Sequence, residues 1–235
     1  MKKISIITIT FNNLEGLRKT VNSVVTQTSY NNIEYVIIDG NSTDGTKQYL
    51  HTLSESICWI SESDKGISNA FNKGLERVSG DYIFCLNSGD TFVNSNVISK
   101  VIEQLEKSNV DILSYKVRVN SKTCIPQIED ERVIFETCDM PHQGTFVSRK
   151  IYDIVGGYSE EYHIRMDYHF FARCKKENAS FKYISQVIVN YEPGGVSMKP
   201  ENRIKFWKEG MSIKYMYGLQ VTIKDMIKTI LWLRK

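Results

Sequence analysis

Four polar segments of this sequence each follow or open an apolar run, and each holds a carboxylate that could do chemistry. In Ile38-Asp39-Gly40-Asn41-Ser42-Thr43-Asp44-Gly45, Asp39 can accept a hydrogen bond from a base or a ribose, and Gly40 lets a ligand approach the backbone closely. In Leu86-Asn87-Ser88-Gly89-Asp90, Asp90 is placed to hold a hard divalent cation, Mn2+ or Mg2+, whose other oxygen ligands would come from water and a diphosphate. Between Glu62 and Gly74 a polar loop carrying Asp64 opens a helix, whose first N–H groups are available to an anion. Asn69 and Asn72 lie three residues apart on one face of that helix. In His163-Ile164-Arg165-Met166-Asp167-Tyr168, Asp167 can serve as a general base that deprotonates an acceptor hydroxyl.

Each segment also has a plainer reading. Asp39 and Asp44 suit a capped turn, Asp90 an Asx turn, and Asp167 a helix-start carboxylate facing the dipole. The Ile67 helix could simply show a solvated polar face, and His142 and His163 could be ordinary loop histidines. The residues alone leave both readings open.

The elements that must position these groups are legible. Ile4 to Thr10 reads as a buried strand, and Leu14, Leu17, Val21 and Val24 share a helical face capped by Asn12 or Asn13. Strands are expected at Ile33 to Ile38, Ile57 to Ile60, Tyr82 to Leu86 and Val110 to Leu113, with helices over Ile67 to Val78 and around Val97 to Leu105. This alternation predicts an open, mostly parallel sheet covered by helices on both faces. Ligands bind beyond the carboxyl ends of such strands, so Asn12, Asp39 and Asp90 are expected to converge. The second half is less regular: 118–136 reads as strand and loop, Ser148 to Val155 and Met166 to Lys176 as helices, Phe181 to Val189 as a strand. Glu192 to Ser197 reads as a flexible loop, and the chain is helical from about Asn202 with a break near Gly218.

The bulk properties narrow the function. The chain has 235 residues, a net charge of +3 and 24% charged residues. That balance is too mild for a nucleic-acid binder but compatible with a small anion or an anionic surface. Five cysteines with no CxxC pair read as reduced thiols rather than a zinc site. No run of about 18 apolar residues occurs, and the N-terminus lacks the form of a signal peptide, so a cytoplasmic protein is expected.

Taken together and in order, the segments resemble the inverting glycosyltransferases of family two, with the GT-A fold. The resemblance spans roughly the first 200 residues. It rests on Ile-Thr-Ile-Thr-Phe-Asn-Asn, Asp-Gly-Asn-Ser-Thr-Asp-Gly-Thr, Ser-Asp-Lys-Gly-Ile-Ser-Asn-Ala-Phe-Asn-Lys-Gly, Leu-Asn-Ser-Gly-Asp, Pro-His-Gln-Gly-Thr-Phe and Met-Asp-Tyr. The nearest look is to the branch that builds colanic acid, O-antigen and capsule repeats. The resemblance implies a donor pocket lined by Thr10 and Asn12, with Asp39 on the base. Asp64 and the helix carrying Asn69, Asn72 and Lys73 would border the nucleotide, Asp90 would bind the metal, and Asp167 would be the base. The Gly194-Gly195-Val196-Ser197 loop resembles a segment that closes over donor and acceptor. Two departures stand out: Asn87 and Gly89 leave Asp90 alone in the metal motif, and Met166 precedes Asp167 where many relatives carry an acid.

The implied activity is transfer from a nucleotide-diphosphate sugar, a UDP-sugar as the best guess, to a lipid-diphosphate-linked saccharide. A non-catalytic sugar-nucleotide-binding module is the alternative. A nucleotidyltransferase would usually carry a Gly-rich basic loop after the first strand, where this chain has Phe11-Asn12-Asn13. The expected organisation is a transferase domain over 1–200 and a basic amphipathic helical tail over 201–235. In the tail, Ile223, Met226, Ile227, Ile230 and Leu231 form an apolar stripe beside Lys224, Lys228, Arg234 and Lys235. Such a helix can lie on the inner membrane surface or pack on protein.

Overall fold

The computed structural model describes residues 1–120, 123–138, 140–219, 221 and 227. β1 (Ile4–Thr10) is rich in β-branched residues, which suit the pleated backbone, and all of it but Ile9 is buried. Two of its buried polar groups are paired: the Ser5 hydroxyl meets Glu34 at 2.5 Å and Thr8 meets the Tyr35 hydroxyl at 3.1 Å. α1 (Leu14–Val25) follows, capped by Asn13, whose side chain accepts the Gly16 N–H. The strand–helix alternation continues through β2 (Ile33–Asp39), α2 (Thr46–Leu50), β3 (Ile57–Ser61), α3 (Ile67–Leu75), β4 (Tyr82–Cys85), β5 (Thr91–Phe92), α4 (Val97–Ser108) and β6 (Ile112–Arg118). Then come β7 (Cys124–Ile125), α5 (Glu131–Thr137), β8 (Thr145–Ser148), α6 (Arg149–Val155), α7 (Met166–Lys176), β9 (Phe181–Asn190) and α8 (Arg203–Tyr217).

The sheet order is β3-β2-β1-β4-β8-β6-β9-β5, with β7 on β6. The first four strands are parallel, as the alternation predicts. The other half is mixed, an addition to the parallel part that the alternation predicts. β8 enters antiparallel between β4 and β6, β9 runs parallel to β6, and β5 and β7 are antiparallel to their partners. The chain leaves β6 and returns through α5 to insert β8 against β4, a long-range choice that local periodicity does not encode. One correction concerns 118–136, expected as strand and loop. Asp130 caps α5 there by accepting the N–H groups of Arg132 and Val133.

Side chains alternate across the sheet and feed two cores. Val36, Ile38, Ile83 and Cys85 face α3, α6 and α7, while Tyr35, Ile37, Tyr82 and Phe84 face α1 and α4. Full burial of each large side chain is worth roughly 1.5–3 kcal/mol. All five cysteines are free thiols. α8 packs on α7 and ends at Gly218, whose φ of +62° is the left-handed cap behind the expected break. Of the apolar tail stripe only Ile227 lies within the described residues, and it is exposed; Ile223, Met226, Ile230 and Leu231 lie outside them. Among the described residues no helix is long and apolar enough to cross a membrane.

Candidate active site

The carboxyl ends of β1, β2 and β4 are adjacent, so the loops that follow them meet. Asn12, at φ +48°, donates its backbone N–H to the Ser42 hydroxyl at 2.7 Å and accepts the Thr43 N–H on its side chain at 2.8 Å. Asn13 donates to the Ser88 carbonyl at 3.3 Å. From α1, the Thr20 hydroxyl accepts the Gly89 N–H at 2.9 Å and donates to the Asp90 carbonyl at 2.8 Å. The three loops are thereby tied into one rim, as the strand ends require.

Thr10, Asn12, Asp39 and Asp64 share one corner of that rim. Thr10 pairs with Asp39 across β1 and β2, and its buried hydroxyl oxygen has no partner. Asp39 is fully buried. It accepts the Ser42 N–H, the Ser42 hydroxyl at 2.5 Å and the Ser61 hydroxyl at 2.7 Å. Its carboxylate therefore shapes the 39–45 loop from inside. Asp64 accepts the Gly66 N–H at 2.8 Å, and a Cβ on Gly40 would stand 2.7 Å from the Asp64 carboxylate. That close approach is what Gly40 permits.

Asn69, Asn72 and Lys73 of α3 are engaged by protein groups and line none of the cavity that holds Asp90 and Asp167. Asn69 donates to Glu160 at 2.8 Å, and Asn72 exchanges two 2.8 Å bonds with the backbone of Tyr158. The Lys73 ammonium pairs with Glu62 at 2.8 Å and donates to the Ser63 carbonyl at 2.8 Å. These side chains hold the loops on either side of α3.

Asp90 and Asp167 do come together. Both line a cavity of about 300 Å3 that also takes in Asn87, His142 and the 191–197 loop. Asp90 is 2% exposed; one carboxylate oxygen accepts the Glu192 N–H at 2.9 Å, and the other is buried without a partner. Burial pushes its pKa up to about 7; the Glu192 N–H bond pulls it down and the Glu192 carboxylate pushes it further up. Gly89 turns the chain at φ +103°, and a side chain there would run into Glu192. The orphaned Asp90 oxygen and the equally unpartnered side-chain amide oxygen of Asn87 line the same cavity and are hard oxygen donors of the kind Mn2+ or Mg2+ takes. No group of three or more potential metal ligands occurs among the described residues, so the protein's share of such a site is small.

Asp167 sits in the first turn of α7 and also lines a second cavity of about 520 Å3 on its other side. His142 borders both cavities. It is buried, its ring packs edge-on against Phe71 at 5.1 Å, and its Nε2 has no partner. Burial lowers its pKa, against an upward pull from Asp167.

The start of α7 is held from α8. The Glu209 carboxylate, 9% exposed, accepts the backbone N–H groups of His163 at 3.1 Å, Ile164 at 2.9 Å and Arg165 at 2.8 Å. The Arg165 guanidinium packs on the rings of Tyr168 and Phe206, at 4.0 and 4.4 Å. His169 meets the Tyr217 hydroxyl at 3.0 Å. Glu192, Arg165 and Glu209 carried no motif signal. Arg165 stands inside the Asp167 segment, but only the tertiary structure gives it a role, and Glu209 lies in a helix with no amphipathic stripe.

A family model described as Glycosyl transferase family 2 matches residues 5–177. The chain belongs to glycosyl transferase family 2. Among its relatives is an uncharacterized glycosyltransferase of Mycobacterium tuberculosis, 29% identical over 178 residues, or 73% of this chain and 68% of the relative. A PGL/p-HBAD biosynthesis glycosyltransferase of Mycobacterium bovis is 26% identical over 202 residues, covering 82% of this chain and 78% of that protein. The fold of this glycosyltransferase is shared with S. aureus TarS 1-349 in complex with UDP-GlcNAc. There the TM-score is 0.75 at 18% identity, over 96% of this chain and 69% of that one. It is also shared with the mannosyltransferase PcManGT of Pyrobaculum calidifontis, in complex with GDP-Man and Mn2+, at TM-score 0.68 and 13% identity over 90% and 64% of the two chains. The GT-A-like α/β architecture expected from the motifs is thus present.

Proposed function

We propose that this glycosyltransferase is an inverting hexosyltransferase that uses a UDP-sugar and a lipid-diphosphate-linked saccharide acceptor in surface polysaccharide assembly, O-antigen or capsule, at the cytoplasmic face of the membrane. The observation that carries the reading is that Asp90 and Asp167 line one cavity. One is suited to the leaving diphosphate, the other to the incoming hydroxyl.

In the proposed reaction the acceptor oxygen attacks the anomeric carbon from the face opposite the diphosphate. The carbon–oxygen bond to the leaving group breaks as the new one forms, and Asp167 takes the acceptor proton. The configuration inverts, so an α-linked donor yields a β-linkage. A bound Mn2+ or Mg2+ would offset charge on the diphosphate, with the free Asp90 oxygen and Asn87 as its protein ligands. Thr10, with its unpartnered hydroxyl, Asn12 and Asp64 face the nucleoside side, and Asp39 holds their loop. Asn69, Asn72 and Lys73 would contribute through the loops they brace. Closure of the 191–197 loop would exclude water from the transferring sugar.

The UDP assignment is supported by the fold shared with TarS, solved with UDP-GlcNAc; that the same fold hosts GDP-Man in PcManGT keeps the base open to test. The test is a nucleotide-sugar panel by thermal shift, with and without Mn2+, followed by donor turnover. A metal-dependent rise in Tm with uridine compounds and release of UDP supports the proposal. Binding without turnover on any acceptor favours a non-catalytic sugar-nucleotide module. A folded protein that no nucleotide stabilises overturns the donor reading.

A further inference from the structure

The 520 Å3 cavity on the far side of Asp167 holds a cation that the transfer chemistry leaves unused. Its lining is mixed: Ile125, Pro126, Ile128, Met140, Phe171 and Met198 supply apolar surface, Gln127 and Gln143 polar surface, and Arg165 lines it beside Asp167. The Arg165 side chain donates no hydrogen bond and forms no ion pair among the described residues; its contacts are the two aromatic rings, and its buried Nε has no partner. Leaving guanidinium donors unpaired in a half-buried site is costly unless an acceptor arrives.

We propose that this cavity is the acceptor subsite and that Arg165 binds an oxyanion, phosphate or carboxylate, carried by the acceptor next to an apolar group. The inference rests on Asp167 facing the acceptor. The rings of Tyr168 and Phe206, 4.0 and 4.4 Å from the guanidinium carbon, hold the group by cation–π contact and restrict its movement. A planar fork of this kind matches the two oxygens of a phosphate or carboxylate. Glu209 holds the Arg165 backbone from α8, which sets where the fork stands relative to Asp167. A neutral sugar could accept hydrogen bonds from the guanidinium but would leave its charge uncompensated. The family match ends at residue 177, so Phe206 and Glu209, which orient Arg165, come from a helix outside it.

The test uses the full chain and three small probes: phenyl phosphate, benzoate and neutral benzyl alcohol. UDP binding with Mg2+ is measured first by calorimetry, and the probes are then titrated with UDP present. The readout is the Nε–H nuclear magnetic resonance signal of Arg165, assigned by its loss in Arg165→Gln. Saturable displacement of that signal by phenyl phosphate or benzoate, with no displacement by benzyl alcohol, is the expected result, and the two anions separate phosphate from carboxylate. Arg165→Gln should weaken anion binding about tenfold or more, the scale of a charged hydrogen bond, while UDP binding stays within twofold. Equal response to all three probes, or no displacement of the Arg165 signal by either anion, overturns the proposal in the wild-type protein even if the variant folds poorly. Failure of UDP to bind would count against the donor reading alone, because the anion titration is read at Arg165 independently of it.

Discussion

The Glu209 carboxylate accepts the backbone N–H of Arg165 at 2.8 Å, so a side chain of α8 closes the first turn of the helix that carries Asp167. Together with its bonds to His163 and Ile164, Glu209 satisfies three backbone N–H groups at and just ahead of the start of α7. Glu209→Ala leaves these donors unpaired and should cost about 2–4 kcal/mol of stability. It should lower kcat far more than it raises the donor KM, because Asp167 moves while the nucleotide corner does not. Glu209→Gln, which keeps one acceptor oxygen, should recover part of both. Steady-state kinetics with a melting curve tests this; an equal loss in kcat and donor affinity would mean a global effect.

Asp167→Asn removes the proposed proton acceptor and keeps the shape. Turnover should fall by about 10²–10⁴, the usual worth of a general base, with UDP-sugar affinity within about twofold. Retained turnover would sink the assignment.

Asp90 offers one buried oxygen without a partner, and a cation is the fitting occupant. Asp90→Asn should fold like the wild type, since the Glu192 N–H still finds an oxygen. The Mn2+-dependent part of the nucleotide thermal shift should vanish, with UDP affinity in Mn2+ falling about tenfold or more, the loss of a charge-assisted contact. A wild-type Mn2+ response would remove Asp90 from the metal site.

Glu34 supplies a pH-dependent increment of stability. Burial alone would raise its pKa, but hydrogen bonds from Ser5, from Ser79 and from Lys3 outweigh that and bring it to about 2 from 4.5. The folded-state value lies below the unfolded one, so this stabilisation is present above about pH 4.5 and is lost as the pH falls toward 2. After allowance for solvent screening it amounts to about 1–2 kcal/mol. Urea midpoints measured between pH 2 and 6 should show a steeper acid limb for the wild type than for Glu34→Gln; identical slopes would contradict the assignment.

What the sequence determined by itself is the local and near-local part of the molecule. The β-branched run of Ile4 to Thr10, the stripe of Leu17, Val21 and Val24, and the turn residues after each strand specify four parallel strands, because period and turn chemistry act over a few residues. Parallel strands must end at the same edge, so the convergence of Asn12, Asp39 and Asp90 followed from the alternation. The tertiary structure alone decided the rest. Nothing around Thr145 to Ser148 states that β8 runs antiparallel between β4 and β6, since direction in a sheet is set by which edge the returning chain meets. The protein partners of Asn69, Asn72 and Lys73, namely Glu160, Tyr158 and Glu62, were settled only when the 158–160 and 62–63 loops folded against α3. The same holds for Asp167 and Glu209. A carboxylate 42 positions further along the chain becomes the support of a helix start only through packing, because a hydrogen bond depends on distance in space and a sequence motif records distance along the chain.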